Sequence, residues 1–119
     1  MALSTAYTFS AQTIGTTEVD LTSNTTTLQS RTTPGIYQLF LDINAMTATE
    51  AYRLRIYEKA TTSATQRIVS EVFFTGAQTE PVYVTPALFL SEGWTFSLTR
   101  LVSASGVNRA FSWSIRAVT

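Results

Sequence analysis

From Ile36 to Ile43 the chain alternates, with Tyr37, Leu39, Leu41 and Ile43 on one face and Gln38 and Asp42 on the other. A period of two is the mark of a half-buried β-strand, because successive side chains point to opposite faces of a sheet. Phe40 interrupts the polar face and reads as a covered position. Tyr52 to Lys59 alternates again: Tyr52, Leu54 and Ile56 form a core face, opposite Arg53, Arg55, Tyr57 and Lys59 on a cationic outer face. Asn44 to Glu50 between them reads as a connecting loop with one helical turn, too short for a stable free helix.

Arg67 to Thr75 is a third strand, rich in β-branched and aromatic residues and interrupted by Glu71, and Gly76 to Glu80 breaks it. Pro81 to Thr85 is a short strand between two prolines, which suits an edge or a strand end. In Trp94 to Leu101, Trp94, Phe96 and Leu98 point inward and Thr95, Ser97 and Thr99 outward. Val107 to Val118 places Phe111, Trp113, Ile115 and Ala117 inward, opposite Ser112, Ser114 and Arg116. These last two strands read as a hairpin joined through Ser103-Ala104-Ser105-Gly106.

The first third is thinner in anchors. Tyr7 to Ser10, Thr13 to Leu21 and Thr25 to Ser30 have strand-favouring threonines and few large apolar side chains, so they are edge strands or, over residues 1–12, an arm that orders on something else. About eight short strands without helical periodicity predict an all-β fold, an antiparallel β-sandwich of the jelly-roll kind, with a small barrel as the alternative. No repeat or linker divides residues 1–119, which read as one domain. The expected core is Tyr37, Leu39, Leu41, Leu54, Ile56, Phe96, Leu98, Trp113 and Ile115.

Composition narrows the chemistry. The chain has no histidine, no cysteine and one lysine, Lys59. Serine or threonine nucleophiles therefore lack their usual base, and a Ser-Lys pair would rest on a lysine set at a strand end, so no catalytic residue is expected. Glu18 and Asp20 share a strand face and would hold calcium only if a loop supplied more oxygens; two solvated acids are the simpler reading, and no metal is expected. No phosphate-binding or dinucleotide-binding glycine pattern occurs, so no cofactor is expected. The formal charge is zero, which argues against nucleic acid and membrane surfaces as partners. Met1 to Tyr7 has neither the basic nor the apolar region of a secretion signal, which predicts synthesis in a cytoplasm and gives little weight to the glycosylation sequon at Asn24.

Only 13 % of the residues are charged, a sparse surface that favours a protein partner. Seven of the eight basic residues are arginine, the cation preferred at interfaces. The expected interface combines the N-terminal segment, with Tyr7 and Phe9, and the cationic face of Arg53, Arg55, Tyr57 and Lys59.

The blocks Gly35 to Asp42, Tyr52 to Lys59, Gly93-Trp94 and Ser112 to Arg116 resemble the small β-sandwich structural proteins of tailed bacteriophages, in particular capsid decoration or cement proteins. That resemblance implies a virion protein made in the host cytoplasm and added to the capsid surface, often as a homotrimer, with the major capsid protein as partner. Two other classes stay open. A carbohydrate-binding module or fibre tip would show exposed aromatics in the loops around Thr47, Ala77 and Ser103, and a tail or connector subunit would assemble into rings.

Overall fold

The computed structural model describes residues 2–101 and 107–118. Nine strands are present among the described residues: β1 (Leu3–Ile14), β2 (Val19–Asp20), β3 (Gly35–Asp42), β4 (Ala51–Glu58), β5 (Arg67–Thr75), β6 (Val82–Val84), β7 (Leu88–Leu90), β8 (Thr95–Arg100) and β9 (Arg109–Val118). One sheet has the order β1-β9-β3, with both β6 and β7 on the far side of β3; the other has the order β2-β8-β4-β5. All pairings are antiparallel. With β6 and β7 taken as halves of one broken edge strand, two four-position sheets in these orders, the chain crossing between them except at the β4-β5 hairpin, make the jelly roll.

The break lies where the sequence puts Pro86, whose missing N–H cannot serve a ladder. Thr85 bridges it: its N–H donates to the Leu39 carbonyl at 3.1 Å and its Oγ1 accepts from the Leu39 N–H at 3.0 Å. The alternating runs Ile36 to Ile43 and Tyr52 to Lys59 become β3 and β4, and the β-branched and aromatic run Arg67 to Thr75 becomes β5. Three sequence readings are corrected. Thr25 to Ser30 is no strand, and makes only a single bridge from Thr25 to Asp20. β7 falls in an apolar run not read as a strand. β8 and β9 do not form a hairpin, because β8 lies between β2 and β4 and β9 between β1 and β3, in opposite sheets. The connecting residues Ser103 to Gly106 lie outside the described residues.

The core is the expected one. Tyr37, Leu39, Leu41, Leu54, Ile56, Phe96, Leu98, Trp113 and Ile115 are all buried between the sheets. Trp94 packs on Tyr37 at a centroid distance of 4.2 Å. The indole N–H of Trp113 donates to the Leu21 carbonyl at 2.8 Å, so this large ring is buried without an unpaired polar atom. The thinly anchored N-terminal segment is an edge strand: β1 runs along β9, with register breaks between Thr5 and Tyr7 and between Phe9 and Gln12. At the second break Ala11 takes a φ of 51°, and its N–H donates to Ser112 Oγ at 2.9 Å, the signature of a bulge that re-aims a strand. Tyr7 and Phe9 consequently face inward, against Trp94 and Trp113.

The 44–50 loop makes turns instead of a helical turn, and it is anchored by Glu50, which is buried. Glu50 accepts from the Thr47 N–H at 2.9 Å and from Arg109 Nε at 2.6 Å. Burial alone would push this carboxyl up, but the Thr47 amide and the Arg109 guanidinium outweigh it and hold it below the ordinary range. A carboxyl whose folded pKa is lowered contributes stability above its unfolded value and loses it as pH falls through the folded value. The native chain's resistance to urea should therefore fall as pH drops below about 4.3, and Glu50→Gln should flatten that acid limb; an unchanged slope would show that the pair carries no pH-linked stability.

Candidate partner interface

The expected interface residues separate into two groups. Tyr7 and Phe9 belong to the β1-β9-β3 sheet and are spent on the core, half-buried against it. Arg53, Arg55 and Tyr57 stand on the outer face of the other sheet, opposite Thr99, Ser97 and Thr95 of β8 on one side and Phe73, Glu71 and Ile68 of β5 on the other.

That outer face has a closed half and an open half. On the closed half, the hydroxyl side chains read as outward and solvated are buried: Thr95 and Ser97 have no exposure and Thr99 is 6 % exposed. Glu18, just before β2, and Asp20, in it, draw them in. The Tyr57 hydroxyl donates to Glu18 Oε2 at 2.5 Å, and the Ser97 hydroxyl donates to the same oxygen. Tyr57 is therefore buried, which corrects its place on the expected interface face; burial first, and then Glu18, push its hydroxyl pKa up. The register shift between Ile56 and Tyr57 helps turn the ring under this cover.

Asp20 is buried and its carboxylate is filled by donors. Oδ1 accepts from the Thr22 N–H at 2.7 Å and the Thr22 hydroxyl at 2.6 Å; Oδ2 accepts from the Gln29 N–H at 2.7 Å and the Thr95 hydroxyl at 2.6 Å. With donors on both oxygens it is a hub for the 20–29 turn, with no lone pair turned toward a calcium ion. Among the described residues no three His, Cys, Asp or Glu side chains converge on a metal-sized space.

The open half lies over β4 and β5. Arg55 Nε is 2.9 Å from Glu71 Oε2 and Arg53 Nε is 3.9 Å from the same oxygen, so two guanidiniums share one carboxylate. Around them stand Phe73 at 59 %, Val69 at 58 % and Ile68 at 42 % exposure. Among the described residues β5 pairs with β4 alone, leaving its other edge free. Past the end of β4 the same surface runs into a cleft of ≈ 560 Å³ whose walls include Lys59, Arg67, Ile68, Val69 and Glu92. Lys59 is held there by its stem, which lies so close over Gly93 that a Cβ at that position would sit 2.8 Å from it. Gly93 also has a φ of 62°, in the left-handed region that favours glycine. Neither Lys59 nor Arg67 has an ion-pair partner among the described residues.

Arg53 and Arg55 are thus brought together at Glu71, Lys59 lies past the end of β4 in the cleft, Tyr57 is buried beside Glu18, and Tyr7 and Phe9 lie on the other sheet. Ile68, Val69 and Phe73 were missed as surface residues. Their signal was a strand apolar on both faces, a pattern that requires cover on both sides. The two most exposed aromatics, Phe73 and Phe89, lie on opposite sheets and cannot form one platform for a sugar ring.

No family model and no curated protein matches this chain. Among solved structures, PirA aligns over 97 % of this chain and 96 % of its own, at 13 % identity and a TM-score of 0.51. A Yersinia pseudotuberculosis-derived mitogen aligns over 99 % and 86 %, at 12 % identity and a TM-score of 0.46. Desmodium yellow mottle tymovirus aligns over 99 % and 89 %, at 11 % identity and a TM-score of 0.38. At such identities the likeness, carried by PirA, concerns the all-β sandwich fold over nearly the whole chain.

Proposed function

We propose that this chain is a non-enzymatic structural protein of a bacteriophage virion, a capsid decoration protein that binds the assembled shell of the major capsid protein and stabilises it. The observation that carries this reading is the open half of the β4-β5 surface: Ile68, Val69 and Phe73 exposed along a free strand edge, beside Arg53 and Arg55 sharing one acid. Exposed aromatic and aliphatic side chains beside arginines make the usual centre of a protein-protein interface. A free edge adds main-chain donors and acceptors for a partner strand. The partner surface would be mildly acidic, matching the excess of guanidinium over carboxylate. A protein that binds only the assembled shell stabilises it by mass action, and many copies on one lattice multiply the effect.

The purified chain, mixed with emptied shells of its phage, should co-sediment with them and raise the temperature at which they rupture. Phe73→Asp should weaken that binding at least tenfold while leaving the chain's own unfolding within about 0.5 kcal/mol, as expected for a solvent-exposed position. Failure of the unaltered chain to bind shells, together with unchanged heat resistance of particles that lack it, would overturn the reading.

A further inference from the structure

The edges of the two sheets are guarded unequally. Among the described residues β1 is broken by two register shifts, β2 is two residues long, and the β6-β7 edge is split into two three-residue pieces around Pro86. Breaks, prolines and short length are devices that keep a sheet edge from pairing with other strands. β5 has one such device, the extra residue Val69, set by the register shift opposite Ile56 and Tyr57. From Ser70 to Thr75 it runs unbroken and without proline. Its ladder assigns the main-chain groups of that run. The Gly76 N–H donates to the Glu50 carbonyl at 2.8 Å, one step past the pair Ala51 and Thr75. Bonded pairs alternate along an antiparallel ladder, so Phe74, Val72 and Ser70 turn their N–H and C=O to β4, while Thr75, Phe73 and Glu71 turn theirs outward. Of these outward groups the Thr75 carbonyl accepts from the Gln78 side-chain amide at 3.2 Å. The rest of the edge is open among the described residues.

We infer that this edge pairs with the same edge of a second copy of the chain, antiparallel about a two-fold axis at Phe73, so that the two β2-β8-β4-β5 sheets join into one. An open strand edge calls for another strand, and the match of β5 with itself selects the second copy. With Phe73 opposite Phe73 of the second copy, Glu71 falls opposite Thr75 and Thr75 opposite Glu71, so every outward residue of both strands enters a bonded pair. On the outer face the two Phe73 rings, 59 % exposed in the free chain, meet across the axis. Each Glu71 then stands between Arg55 of its own chain and the Thr75 hydroxyl of the other. On the inner face Val72, half-buried against the core, falls opposite the buried Phe74 of the second copy, an apolar pair repeated by symmetry. Aromatic and apolar pairs directly opposite each other stabilise a sheet, whereas a register centred on Glu71 would set two carboxylates together. The seam is one strand wide and roughly 20 Å long, less than the ~800 Å² per side of a standard interface, so the dimer is weak. An isologous contact of this kind closes at two copies, in place of the trimer that the phage resemblance implies. Arg53, Arg55, Ile68 and Val69 stay uncovered on the joined outer face, whereas a shell strand added to this edge would displace the second copy.

The test uses the full chain alone, so its outcome is separate from that of shell binding. Sedimentation equilibrium between about 10 µM and 1 mM should show the mass rising from monomer toward dimer, the range of a weak association. Thr75 is exposed, so substitutions there should leave the circular dichroism unchanged. Thr75→Lys sets a cation opposite Glu71 of the second copy and should tighten the dimer; Thr75→Glu sets a second carboxylate there and should loosen it, each by about fivefold because the change acts at two symmetric pairs. Lysine ordinarily keeps an edge from pairing, so tightening by lysine marks this register. In the native chain, amide exchange followed by NMR should slow at Glu71, Phe73 and Thr75 as concentration rises, with the amides of β1 unchanged. If a Thr75 variant unfolds, that exchange series carries the test. A native chain still monomeric at about 1 mM or forming trimers, a folded lysine variant no tighter than the native chain, or edge amides indifferent to concentration would each overturn the pairing.

Discussion

Asp20→Ala is expected to cost about 4 kcal/mol of unfolding free energy, the range for removing one partner from a buried charged network. The carboxylate is fully buried and accepts from the amides of Thr22, Ser23 and Gln29 and from the hydroxyls of Thr22 and Thr95. Removing it strands those donors where water does not replace the acceptor, at a cost of about 1–3 kcal/mol for each group left unmade. Asp20→Asn keeps the volume and one oxygen but turns an NH₂ toward groups that are themselves donors, so about half the loss is expected to remain. Urea denaturation of the three chains at neutral pH decides the matter. A loss below about 1 kcal/mol for the alanine variant would mean that the 20–29 turn re-pairs with solvent on its own.

Trp113→Ala should lose about 3–5 kcal/mol, the usual cost of deleting a buried tryptophan. The ring is 3 % exposed, packs on Phe9 at 5.5 Å and ties β9 to Leu21 through its N–H. Trp113→Phe separates the two contributions. It keeps most of the buried area and loses the hydrogen bond, so its cost should be near the ~1–3 kcal/mol of an unpaired buried carbonyl plus a small cavity. Thermal and urea unfolding followed by circular dichroism provide the measurement. Equal losses for Phe and Ala would place the whole effect in the hydrogen bond and none in packing.

The strands that periodicity could find were those whose neighbours supply one wet side and one dry side. Ile36 to Ile43 and Tyr52 to Lys59 alternate because β3 and β4 sit centrally with one face in the core. The outer face of β8 misled because a hydroxyl at period two reads as solvated, whereas Thr95 and Ser97 are held by carboxylates more than seventy positions earlier in the chain. Nothing in a local window distinguishes a serine bonded to water from one bonded to Glu18. The supposed hairpin of β8 and β9 failed for a related reason, since alternation is identical whether the next strand turns back beside its predecessor or crosses to the facing sheet. In the candidate interface, Arg53 and Arg55 were legible as outward positions of one strand. Tyr57 was not, because a register shift and the long reach of Glu18 cover it. The exposure of Phe73 and Val69 depends on β5 being an edge, which is a property of strand order and not of composition.

Strand order also sets the timetable of assembly. β9 stands between β1 and β3, and β8 between β2 and β4. Until the residues beyond 94 have been synthesised, β1 and β2 have no neighbour to pair with, and only the β4-β5 hairpin and the β3-β6-β7 ladder are able to form. A nascent chain must therefore keep Tyr7, Phe9 and the inward faces of both sheets uncovered until β8 and β9 have been made. Late closure of distant pairs predicts slow folding and a wide window for capture by chaperones or by other copies. A sparsely charged chain has little repulsion to protect it during that interval, so its yield should depend on how slowly and how coolly it is made.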